Sequence, residues 1–140
     1  MRSAFVVLFA LAFCSSCATT HMVEPQTTGQ DVDFARATHV QIRLSNFEFS
    51  PKEIRLQAGT PYVLDIINVA SGSHNFTAPE FFAAGKVAPE DAQKISDGQI
   101  EVPKNQSRAI RIVPATGTYR LVCTHFGHSA LGMRGDIVVE

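Results

Sequence analysis

Apolar and polar residues alternate along most of the chain after residue 38. Val40, Ile42 and Leu44 interleave with Gln41, Arg43 and Ser45, and Ile54, Leu56 and Ala58 interleave with Glu53, Arg55 and Gln57. A period of two predicts half-buried strands with one wet face. Ala58-Gly59-Thr60-Pro61 reads as a turn, and a strand is expected from Tyr62 to Val69. Ser107–Val113 is another, with Ile110 and Ile112 facing the core; Pro114 to Gly117 turns the chain into Thr118–Cys123, and Asp136–Glu140 closes it. Tyr119, Leu121 and Cys123 share one face, so the thiol points with the core residues at a strand end. Short strands between turns predict an all-β antiparallel sandwich. One helix interrupts it, over Pro79 to Gly85, where Pro opens the first turn and Gly closes the last. The polar stretch from Lys86 to Asn105 reads as a surface insertion.

The first 38 residues follow other rules. Ala4 to Phe13 is a continuous apolar run behind Arg2, followed by small residues, the layout of a signal peptide over 1–17. The run is too short to span a bilayer. Ser15-Ser16-Cys17 resembles a lipobox with Cys17 as the acylated residue, and Ser16-Cys17-Ala18 also fits ordinary signal peptidase. Export is expected in either case, to a bacterial periplasm or as a membrane-tethered lipoprotein. Residues 18–38 are polar, carry Pro25 and Gly29, and read as a flexible linker. About 20 such residues would hold a domain roughly 25 Å from its anchor. One domain, 39–140, remains, large enough for one modest core.

The chain has 140 residues and a formal charge of -1. Loss of Arg2 with the leader takes this to about -2, and with no basic runs it argues against nucleic acid. Of the three cysteines, Cys14 and Cys17 fall in the leader, leaving Cys123 alone in the domain. Exported proteins pair their cysteines or avoid them, so a lone thiol needs another explanation. It stands in Cys123-Thr124-His125-Phe126-Gly127-His128-Ser129-Ala130-Leu131-Gly132-Met133, with His74-Asn75 upstream. Two imidazoles, a thiolate and a weak thioether form the ligand set of a mononuclear blue-copper site, and soft ligands with imidazole suit copper in both oxidation states. A bound ion would also hold the thiol as thiolate and shield it from disulfide exchange. His74, Cys123, His128 and Met133 are the expected ligands of one copper ion, Cu(I)/Cu(II). His125 stands as a competitor for the role of His128, because Cys123 and His125 would face the same way if the strand continued. His39 reads as structural or solvent-facing, and His21 and Met22 as incidental.

Gly117-Thr118-Tyr119, then Cys123, His128 and Met133, resembles the copper-binding signature of the plastocyanin/azurin group of cupredoxins. Cys123-Thr124 and Gly127-His128-Ser129-Ala130-Leu131 are especially similar to azurin's ligand loop. Gly132 adds one residue before Met133, the spacing of rusticyanin-like and auracyanin-like members, and His125-Phe126 stands where azurin has an aromatic residue and proline. The upstream run Asn46-Phe47-Glu48-Phe49-Ser50-Pro51 is also cupredoxin-like. The resemblance implies a single Greek-key β-sandwich, with Asn75 tying the first ligand loop to the cysteine loop. It further implies one-electron transfer with redox proteins that dock transiently near His128, where Phe126, Gly127 and Leu131 would form an apolar patch. The chain is then expected to be a monomer and not an enzyme. A copper-handling lipoprotein would use the same ligands, and a thiol nucleophile with His125 or His128 as base is a third reading.

Overall fold

The computed structural model describes residues 22–140. The expected leader, with Cys14 and Cys17, and the beginning of the expected linker lie outside the described residues. In chain order the elements are β1 (Gln26–Thr27), β2 (Thr38–Ser45), β3 (Glu48–Ser50), β4 (Glu53–Leu56), β5 (Tyr62–Asn68), β6 (His74–Thr77) and α1 (Pro79–Ala84). They continue with β7 (Lys86–Val87), α2 (Pro89–Ala92), β8 (Gln99–Val102), β9 (Ser107–Val113), β10 (Gly117–Val122) and β11 (Arg134–Val139). The strands form two sheets, ordered β1-β7-β9-β5-β2-β3 and β4-β11-β10-β6-β8. This is the all-β sandwich that the alternation predicts.

Strand direction is mixed rather than uniformly antiparallel. β2 runs parallel to β5, β4 to β11 and β1 to β7, and the other pairs are antiparallel. Parallel neighbours arise because the chain leaves one sheet for the other between paired strands, and no tight hairpin joins them. Ile42, Leu44, Leu64, Ile66, Ile110 and Ile112 from the first sheet share one core with Ile54, Phe76, Ile100, Leu121 and Ile137 from the second. Phe49, Phe76 and Phe82 make edge-on and tilted contacts at 6.2 and 6.0 Å between centroids. Each large side chain buried here contributes about 1.5–3 kcal/mol, so the sandwich is a firm frame for whatever its loops carry.

The helix expected after Pro79 is α1, ended by Gly85, whose N–H donates to the Phe81 carbonyl at 3.0 Å. The stretch read as a polar surface insertion is a different matter. It holds β7, α2 and β8, and its Val87, Ile95, Ile100 and Val102 belong to the core. Its apolar residues are too few and too scattered to display a period. β8 is only four residues long, so only Ile100 and Val102 mark its inward face. A buried carboxylate anchors the same stretch: Asp91 accepts from Lys94 Nζ at 2.6 Å, from Arg111 Nε at 2.8 Å and from the Arg111 N–H at 3.0 Å.

The chain also lies against the domain earlier than the linker reading expected. The Val23 N–H donates to Asp97 at 3.0 Å, β1 pairs with β7, and the Thr28 N–H donates to the Val87 carbonyl at 2.9 Å. Pairing to an edge strand uses backbone groups, so it needs no apolar period in the sequence.

Candidate metal centre

Two loops at one end of the sandwich carry the expected ligands. His74 opens β6, directly after the loop that leaves β5. Asn68, 2% exposed, closes that loop: its amide donates to the carbonyls of Gly72 (2.9 Å) and Val102 (2.8 Å), and its oxygen accepts from the Ala70 N–H at 2.9 Å. Val102 is paired opposite His74 in the sheet. Cys123 follows β10, and the chain from there to Met133 is wound by short-range bonds. The His128 N–H donates to the His125 carbonyl and the Met133 N–H to the His128 carbonyl, both at 3.0 Å. The Cys123 N–H donates to the Met133 carbonyl at 3.2 Å, which closes the loop on itself. Gly127 (φ +78°) and Gly132 (φ +102°) supply the left-handed turns that other residues adopt only at a cost.

The loops bring three ligand atoms together. His74 Nδ1 and His128 Nδ1 lie 3.1 Å apart, and Cys123 Sγ is 3.7 Å from the first and 3.4 Å from the second. His74, Cys123 and Met133 are buried and His128 is half-buried. Met133 is tied through its backbone to both Cys123 and His128. A triangle with edges of about 3 to 4 Å is what a first-row ion leaves between ligands bound at roughly 2.0–2.3 Å. Two imidazoles with a thiolate are also the donor set such an ion takes. The residues therefore fit a single copper ion.

Electrostatics favour neutral groups in the metal-free site. Burial, followed by repulsion from His128 and His125, lowers the pKa of His74 against an opposing pull from Glu101. Burial pushes the Cys123 thiol up, offset in part by the backbone N–H groups of Asn75 and His125. A nucleophilic cysteine has a lowered pKa and some exposure; Cys123 has neither.

His125 does not join the cluster. Its Nε2–H donates to Glu101, 2.9 and 3.2 Å from the two carboxylate oxygens, while its ring stacks on His128 at 5.5 Å and 20°. The spacing argument left His125 and His128 in competition, and the geometry places His128 at the centre. The tie expected from Asn75 is present: its oxygen accepts from the Thr124 N–H at 2.8 Å, and its amide donates to the Thr124 hydroxyl at 2.9 Å. His39 sits on the surface of β2, 2.7 Å from Asp65. Met22 is exposed, and His21 lies outside the described residues. Sequence reasoning passed over Glu101 and Asn68, and it gave Phe47, whose ring meets His128 edge-on at 5.2 Å and 83°, no place at the site. Each comes from a distant strand or turn, and no local pattern points it at the ligands.

The sequence matches the model of the copper-binding proteins of the plastocyanin/azurin family over residues 36–140. No curated protein matches it. Among solved structures it resembles the dithionite-reduced auracyanin of the photosynthetic bacterium Roseiflexus castenholzii. That match has 21% identity and a TM-score of 0.55, covering 74% of this chain and 98% of that one. Auracyanin B matches with 22% identity and a TM-score of 0.56, over 84% of this chain and 99% of the other. A multicopper oxidase from Campylobacter jejuni matches at 14% identity and a TM-score of 0.58, but the overlap is 80% of this chain and only 32% of the oxidase. At these identities the structures speak for the fold alone.

Proposed function

The chain belongs to the plastocyanin/azurin family of copper-binding proteins, and from that premise we propose that it is an exported single-electron carrier whose copper is held by His74, Cys123, His128 and Met133. The convergence of His74 Nδ1, Cys123 Sγ and His128 Nδ1, all within 4.8 Å of one another, carries this reading. Copper in such a set supplies one-electron chemistry, passing between Cu(I) and Cu(II) as a single electron leaves or arrives.

The protein's own work is to hold the donors still. His74 is fixed by β6 and by the loop that Asn68 closes, and Cys123 by the end of β10 and the two bonds between Asn75 and Thr124. His128 and Met133 are fixed by the turn that Gly127 and Gly132 allow. Donors held this way would need to move little if a bound copper changed oxidation state, which would keep reorganisation small. The thiol has to be deprotonated to bind, and the N–H groups at Asn75 and His125 are in place to stabilise that charge.

His128 is the half-buried ligand, and Phe126 and Leu131 beside it are exposed. An apolar surface around a partly accessible ligand suits brief docking with redox proteins, which use small interfaces. Among the described residues, His74, Cys123 and His128 form the one cluster of metal-binding type, and together with Met133 they are the donors a one-electron carrier would use. Export rests on the leader at 1–17, with Cys17 as the site of any lipid.

The deciding experiment is Cu(II) addition to the purified protein, followed by visible absorption and electron paramagnetic resonance. An intense thiolate charge-transfer band at one copper per chain is expected. A colourless protein with ordinary copper signals would overturn the carrier reading in favour of Cu(I) handling.

A further inference from the structure

His125 and Glu101 lie outside the ligand set, yet their geometry points inward. Glu101 sits on β8, directly opposite Asn75 in the sheet, next to the first ligand strand. Its carboxylate accepts from His125 Nε2–H, and that bond spans from the sheet to the loop holding the other ligands. His125 is thereby fixed with its ring nearly parallel to His128, 5.5 Å away, and 6.4 Å from the ring of His74. Phe47 stands edge-on to His128 at 5.2 Å. The most accessible ligand is thus held between an aromatic edge and a tethered imidazole.

We infer that Glu101 and His125 form a brace on the metal centre: His125 holds the orientation of His128, and the fixed negative charge of Glu101 lowers the reduction potential of the site. The inference rests on the copper reading above. An anion beside a metal stabilises the more highly charged state, here Cu(II) over Cu(I), and groups around the ligands tune a metal in this way. The carboxylate is close enough for its field to act on both His74 and Cys123. Exposed pairs of this kind contribute little to folding, and Glu101 is 45% exposed. The effect is therefore read at the metal and in the loop, and it weakens with salt.

The test uses copper-loaded wild type, Glu101→Gln and His125→Ala at about pH 8, where imidazole is ordinarily neutral. Gln keeps an acceptor for His125 and removes only the charge. The potential of Glu101→Gln is expected to lie above that of wild type at low salt, with the gap closing as salt is raised and the paramagnetic spectrum unchanged. In metal-free His125→Ala, hydrogen exchange of the His128 amide, whose partner is the His125 carbonyl, is expected to accelerate several-fold, and the copper-loaded spectrum to change. An unmoved potential in Glu101→Gln with the charge-transfer band intact would overturn the electrostatic half. Unchanged exchange and spectrum in His125→Ala would overturn the brace. A wild type lacking the band would instead remove the copper reading, and this inference with it.

Discussion

Asn75 and Thr124 are joined twice, backbone to side chain at 2.8 Å and side chain to side chain at 2.9 Å, although 49 residues separate them. The amide oxygen also accepts from the Thr77 hydroxyl at 3.0 Å, and the Thr124 hydroxyl donates to Gln99 at 3.0 Å. A ligand strand, the ligand loop and the neighbouring strand are thus latched by one short polar network beside the thiol.

Asn75→Leu leaves the Thr124 N–H without its acceptor in a part-buried setting. A loss of about 1–3 kcal/mol is expected, the range for stranding a buried polar group, measured by urea unfolding of the metal-free protein. The charge-transfer band should also move, because the residue after Cys123 is no longer held. An unchanged band would show that the loop is set without Asn75.

Copper should stabilise the folded chain by mass action, by about 4 kcal/mol at a thousandfold excess over its dissociation constant. In Cys123→Ser the band should disappear and most of the copper-dependent rise in melting temperature with it. Persistence of the band would remove Cys123 from the ligand set.

The metal-free protein should lose stability at both ends of the pH range. The folded pKa of His74 lies below the ordinary 6.5, so the unfolded chain takes up the proton first and stability falls as pH drops through that value. The folded pKa of Cys123 lies above the ordinary 9.0, so the unfolded chain releases its proton first and stability falls as pH rises past it. Melting curves between pH 5 and 10 check both limbs. Substituting His74 by Leu should abolish the slope near neutrality, and Cys123→Ser the alkaline one.

Phe47 has φ +65°, a left-handed conformation that costs a residue with a side chain about 1–2 kcal/mol. Phe47→Gly relieves that cost and removes the ring from the edge of His128. Stability of the metal-free protein should stay within about 1 kcal/mol of wild type, since glycine's extra chain entropy works against the relief. The copper-loaded paramagnetic spectrum should nevertheless change. A large loss of stability with an unchanged spectrum would make the ring a packing element only.

Asp91 holds α2 to β9. Burial raises its pKa, but hydrogen bonds from Arg111 and Lys94 outweigh that and hold it below the ordinary carboxylate value. Its stabilising effect is present above the ordinary 3.8 and is lost as pH falls through the lower folded value. Asp91→Ala should cost about 1–3 kcal/mol. The 3–5 kcal/mol of a wholly buried pair does not apply, because Lys94 and Arg111 are each 37% exposed and reach water. The variant's thermal stability should also be less sensitive to acid.

The strands β2, β9 and β10 were legible in the sequence because each carries its own period, and β5 because its apolar run follows the Ala58-Gly59-Thr60-Pro61 turn. So was the chemistry of Cys123, His128 and Met133, which a single stretch of eleven residues brings together. β1, β7 and β8 were not legible, because two to four residues cannot display a period and their partners lie far along the chain. Spacing alone left His125 in competition, and the Gly127-His128-Ser129-Ala130-Leu131 context pointed to His128; the physical basis of that choice lies in the fold. It depends on Gly127 turning the loop and on Glu101 drawing His125 aside.

What the sequence alone determined is therefore the donor set and the kind of frame that carries it, since residue identity and local period are properties of a few neighbouring positions. The tertiary structure alone decided which nitrogen faces the thiol, that the expected tie from Asn75 lands on Thr124, and that Phe47 and His125 flank one ligand. Those placements follow from the register of strands distant in sequence. A shift of one residue in β6 would turn Asn75 to the opposite face of its sheet and break its reach to Thr124.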